Sequence, residues 1–80
     1  YRDSDLKKTQ DYAKRALEIA EKNNFQKGRA DALSVFGIIF YRQGKYDSSL
    51  VYQEEALEIR EKLKDQSGVA LSYNWLAHLN

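Results

Sequence analysis

Few side chains in this sequence are equipped for chemistry. His78 is the one histidine, and Ser72 precedes it by six residues. A nucleophilic serine or a metal centre needs a base or ligands that converge on one point, and around His78 the chain offers only generic serines and acids. Glu54 with Glu55, and Asp3 with Asp5, are the neighbouring acids that could share a proton or a cation. Helix-surface charge accounts for the first pair and helix capping for the second. Gly28 and Gly68 stand alone, outside any phosphate-cradling loop pattern, and fit helix starts. Cysteine is absent, which removes disulfides, thiolate metal sites and cysteine nucleophiles together and leaves the redox compartment open. The sequence predicts no catalytic centre, no metal and no cofactor.

Six tyrosines, three phenylalanines and Trp75, interleaved with lysine and arginine, are the ingredients of a stacking surface for single-stranded nucleic acid. Most of these rings fall on apolar helical stripes, which makes them core residues instead. The net charge of +1, from 13 basic and 12 acidic residues, supplies no field for nucleic acid or anionic lipid. The longest apolar run, Leu33 to Tyr41, is broken by Ser34 and Gly37 and is under half of the roughly 20 residues a membrane span requires. Neither nucleic acid nor a membrane is an expected partner. With no methionine and Tyr1 in first place, the chain reads as a segment of a longer protein.

The elements that must position these residues come from an internal repeat. Shifted by 40 residues, Tyr12 aligns with Tyr52, Ala16-Leu17-Glu18-Ile19 with Ala56-Leu57-Glu58-Ile59, Glu21-Lys22 with Glu61-Lys62, Gln26 with Gln66, Gly28 with Gly68 and Ala30 with Ala70. Tyr1-Arg2 likewise aligns with Tyr41-Arg42, giving 12 identities in 40 pairs where unrelated stretches would give roughly two or three. Within the unit, Tyr46, Leu50, Ala56, Leu57 and Leu63 keep to one helical stripe, and Glu58 sits four residues before Lys62 in the favourable order. No proline interrupts the chain. Gly44 is placed to end one helix in the left-handed conformation, and Asp3-Ser4-Asp5 to cap a helix starting near Leu6. Four antiparallel helices are predicted, at about Asp5 to Asn23, Gln26 to Gln43, Tyr46 to Lys64 and Gln66 to Leu79. The second and fourth carry the denser apolar content and should be the more buried.

The middle of the chain, with Leu33, Phe36, Gly37, Phe40, Gly44, Tyr46, Ser49, Tyr52, Ala56 and Leu57 in this order, resembles the tetratricopeptide repeat. Gly37 and Ala56 would let two helices approach while Phe36, Phe40 and Tyr46 fill the space between them. Ser49 stands where alanine is usual, Gln53 near the usual aromatic, and the closing proline is missing. The unit is longer than the basic 34 residues, the extra residues falling in Arg60 to Gly68 as a lengthened helix and loop. In this it resembles the longer variety known from bacterial sensor and regulator proteins and from kinesin light chains.

The resemblance implies an all-α right-handed superhelix entered on a second helix: a half unit over 1–29, a full unit over 30–69 and a half unit over 70–80. It implies a non-enzymatic scaffold that holds a peptide or partner protein on the concave face lined by first helices. Carried over residue by residue, that face presents Asp31, Ser34, Ile38, Tyr41 and Arg42 from one helix and Leu71, Asn74 and His78 from the next. One subclass grips a C-terminal carboxylate with lysine, asparagine and arginine on successive first helices; the positions that should carry them hold no lysine or arginine to do so. The alternative function is a peptide-sensing regulatory segment of a bacterial sensor kinase or transcriptional regulator. The terminal helices, the last bearing Tyr73, Trp75, Leu76 and Leu79, lack covering partners, so the chain is expected to self-associate, as a closed dimer or an open stack.

Overall fold

The computed structural model describes residues 3–79, with side chains from residue 5 onward; the Tyr1-Arg2 correspondence lies outside them. Four helices follow one another: α1 (Asp3–Lys22), α2 (Gln26–Arg42), α3 (Tyr46–Lys62) and α4 (Gln66–Leu79). Among the described residues there is no strand. Each helix packs chiefly on its sequence neighbours, α1 on α2, α2 on α3 and α3 on α4.

Three connections of one design set this order. After each of the first three helices one residue turns left-handed: Asn24 at φ 55°, Gly44 at φ 76° and Lys64 at φ 57°. The next N–H then donates to a carbonyl five residues back, Phe25 to Ala20 at 2.8 Å, Lys45 to Phe40 at 2.8 Å and Asp65 to Arg60 at 3.0 Å. This is the Schellman closure, which satisfies carbonyls the helix end would leave bare. It is expected at Gly44 and tolerable for Asn24, whereas the Cβ of Lys64 opposes it. The connection before α4 has the same three residues as the other two, so the unit's extra length over the basic repeat lies in the helices and not in a loop. Asp65 then caps α4, its Oδ1 accepting from the Gly68 N–H at 3.1 Å. α1 is helical from Asp3, ahead of the start expected near Leu6, and the cap expected at Asp3-Ser4-Asp5 rests on side chains outside the described residues.

Small residues bring the helices together. Among the described residues, five of the eight buried hydrophobics are alanine, namely Ala13, Ala20, Ala30, Ala32 and Ala56. With so little bulk between them the backbones come close. Ala30 and Leu33 of α2 meet Ala56 and Ile59 of α3, with Leu17 and Tyr52 packed alongside. Phe36 and Phe40 both lie on Tyr52, with ring centroids 5.7 and 5.4 Å away.

The buried stripe of α3 differs from the one its apolar residues predict. It runs through Ser49, Gln53, Ala56, Ile59 and Arg60, while Tyr46 and Leu63 are exposed. Polar groups can hold that stripe because α2 satisfies them. The Ser49 Oγ donates to the Gly37 carbonyl at 2.6 Å. Gln53, with no exposed surface, accepts from the Ser34 Oγ and donates to the Ser34 carbonyl, both at 3.1 Å. Gly37 makes room for it: a Cβ there would lie 2.6 Å from the Gln53 Nε2. The departures from the family pattern at positions 49 and 53 thus form one interhelical grip. α4 is less buried than predicted, enclosing only Gly68 and Ser72 fully, since it has a neighbour on one side alone.

Gly37→Ala should therefore cost about 1–3 kcal/mol, as overpacking does, and Gln53→Ala should cost much less in that background than in the native chain. A double-mutant cycle by urea denaturation checks this, with a coupling of about 1 kcal/mol or more expected for side chains in contact. Additive effects would contradict the shared space.

Candidate functional site

Residues three, four and seven apart share one side of a helix, so Asp31, Ile38, Tyr41 and Arg42 fall on one face of α2 and Leu71, Trp75 and His78 on the same face of α4, one period later. The two faces meet through rings. Tyr41 stands edge-on to Trp75 with centroids 5.6 Å apart at 70°, and Trp75 meets His78 at 5.8 Å and 63°. On the other side Tyr41 meets Tyr46, the first residue of α3, at 5.4 Å and 57°. Four rings from three helices form one run, each pair in the tilted or edge-on geometry the ring quadrupole favours. Tyr41 and Trp75 are half-buried while Tyr46 and His78 are exposed, so the run is anchored and still open to solvent. Arg42 is exposed beside it in the last turn of α2, where a cation suits the helix dipole.

The first half of the expected α2 face is committed to the fold. Ser34 is 8% exposed, and both its hydroxyl and its carbonyl are bound to Gln53; it is a packing residue and lies off the open surface. Asp31 is accessible, its side chain 57% exposed, and its Oδ1 accepts from the Arg60 guanidinium at 2.9 Å. Arg60 is itself 5% exposed and also donates to the Ser72 Oγ at 2.9 Å. One buried cation thus fastens α2, α3 and α4 together. Ile38 is half-buried, and Leu71 and Asn74 are exposed on α4.

Trp75 and Tyr46 belong to the ring run without having been among the residues expected at the site. Their signal in the sequence was weak. Trp75 is three residues before His78 and one period after Val35, and only the approach of α4 to α2 reveals its contact with Tyr41. Among the described residues no three His, Asp or Glu side chains gather as a metal would need, and no helix is long and apolar enough to cross a membrane.

The model of the tetratricopeptide repeat matches residues 1–62. The chain belongs to the tetratricopeptide repeat family. No curated protein and no solved structure matches it. Tetratricopeptide repeats form a non-catalytic family that mediates contacts between proteins, and the geometry of α2 and α4 is to be understood in that setting. In this tetratricopeptide chain the residues expected on α2 divide into Asp31 and Ser34, engaged by α3, and Ile38, Tyr41 and Arg42, of which Tyr41 meets Trp75.

Asp31→Ala should lower stability by about 1–3 kcal/mol, because it leaves the Arg60 charge buried with Ser72 as its remaining partner. Glu54→Ala, at another exposed acid, should stay within about 0.5 kcal/mol. Thermal and urea unfolding followed by circular dichroism distinguish the two, and equal small effects would show that the Asp31 pair is a mere surface contact.

Proposed function

We propose that the chain is a scaffold segment that holds a peptide or an extended stretch of a partner protein across the shared face of α2 and α4. In the register implied by the family, residues 30–69 make one full repeat between two halves, and α2 and α4 are first helices lining the concave side of a right-handed superhelix. Ile38, Tyr41, Arg42, Trp75 and His78 are the contact residues, with Asn74 and Leu71 at the margin. The observation that carries this reading is the ring run from Tyr46 through Tyr41 and Trp75 to His78. It offers broad amphipathic area on side chains with few rotamers to lose, fixed on helices that need no reordering on binding. Ser34 lies beneath the face, held by Gln53, and the accessible Asp31 ties the face to α3 through Arg60.

Trp75 is the only tryptophan, so its emission reports on this face directly. Peptides selected from a random displayed library on the purified chain should shift Trp75 fluorescence on binding. Their affinity should fall about tenfold or more in Tyr41→Ala, as for an aromatic anchor, and change little in Glu54→Ala. Selected peptides that bind with full affinity to Tyr41→Ala and leave the emission untouched would refute the proposal.

A further inference from the structure

Among the described residues Arg60 is the only buried charge, and its hydrogen bonding is incomplete. Nη1 donates to the Ser72 Oγ and Nη2 to the Asp31 Oδ1, both at 2.9 Å, while Nε, also buried, has no partner. A buried donor left unmade is costly, and a second carboxylate lies close by. Asp65, in the turn before α4, uses Oδ1 to cap that helix; its Oδ2 takes no hydrogen bond among the described residues. A Cβ built on Gly68 would lie 2.5 Å from that oxygen and 2.8 Å from the Arg60 Cδ. The idle oxygen and the carbon that bears the idle Nε therefore flank a single point, and the missing side chain of Gly68 keeps the way between them clear. We propose that Arg60 is a two-position latch, holding α2 through Asp31 in one position and turning onto Asp65 in the other.

The two positions trade one carboxylate for another. Turned onto Asp65, the guanidinium can present Nε and one Nη side by side, the paired geometry that carboxylates accept best, and the orphaned donor is satisfied at the expense of the Asp31 pair. In the observed position the cation ties α2, α3 and α4 together. In the second it ties α3 to the turn that starts α4 and leaves α2 out. Ser72 lies three residues before Trp75, on the same side of α4, so release of Asp31 removes the polar support beside the contact of Tyr41 with Trp75. A small rotation per repeat sets the twist and curvature of a helical-repeat array, and a latch between α2 and α4 gives that rotation two settings. Only the consequence for partner binding rests on the function proposed above; the exchange itself rests on contacts within the chain.

Two measurements on the 80-residue chain test the latch. In nitrogen relaxation-dispersion NMR, which reads microsecond-to-millisecond exchange, the Arg60 Nε–H should alternate between two environments. Asp65→Asn, which keeps a capping side chain before α4, should abolish that exchange and leave the chain folded. Urea denaturation supplies the second test. With Asp65 in place Arg60 turns to it when Asp31 is lost, whereas without Asp65 no carboxylate remains. Asp31→Ala should therefore raise the unfolding equilibrium constant about tenfold or more further in the Asp65→Asn background than in the native chain. Trp75 emission should shift in folded Asp31→Ala and stay native in Asp65→Asn. An Arg60 Nε–H held in one environment, an Asp31→Ala effect of equal size in both backgrounds, or an emission that Asp31→Ala leaves untouched would overturn the proposal.

Discussion

Gln53 occupies the space that a side chain at position 37 would need, and the rest of the molecule follows from that close approach. Because Gly37 yields, α3 comes near enough for Ser49 to bond the Gly37 carbonyl and for the Gln53 amide to hold Ser34 at two points. Those bonds satisfy the polar groups that the approach buries, without which their desolvation would be costly. At that separation a core of Ala30, Leu33, Ala56 and Ile59 closes, although larger residues would have held the helices apart. With α2 fixed on α3, the carboxylate of Asp31 reaches Arg60 and the ring of Tyr41 reaches Trp75. The surface read as functional is thus an outcome of the interior grip.

Much of this was legible in the sequence, for identifiable reasons. The 40-residue period, the freedom from proline and the position of Gly44 gave four helices whose observed ends differ from expectation by two residues at most. Local backbone chemistry determines those features, and residue types report it. The inward face of α3 was not legible, because apolar content marks a buried stripe only when polar residues stay out of it. Here Ser49, Gln53 and Arg60 go in with partners supplied by α2 and α4, while Tyr46 and Leu63 stay out. The same cause separated Ser34 from the predicted face: its spacing was right, but the neighbour that covers it could not be seen. Trp75 was missed in the opposite sense, since its role depends on a ring 34 positions earlier in the chain.

Two junctions with one backbone plan therefore carry different chemistry. Around Arg60 the contact is polar, tying three helices through Asp31 and Ser72. Around Ala20, its counterpart one period earlier, the residues where α1 meets α2 are apolar. Polar pairing fixes which residues meet, while alanine-lined grooves supply area and shape. A repeat protein can in this way hold its interior in one register through a polar tie, while the ring run of Tyr46, Tyr41, Trp75 and His78 stays at its surface.

The claim at the centre of this picture is that the grip between α2 and α3 sets the surface that Tyr41 and Trp75 share. Gly37→Ala, whose added Cβ would meet the Gln53 amide at 2.6 Å, should then disturb the contact of Tyr41 with Trp75. Trp75 is the only tryptophan, so its emission and the near-ultraviolet circular dichroism of the folded variant read that contact. A shifted emission in a variant that keeps its helical content is the expected result, and spectra identical to those of the native chain would contradict the account.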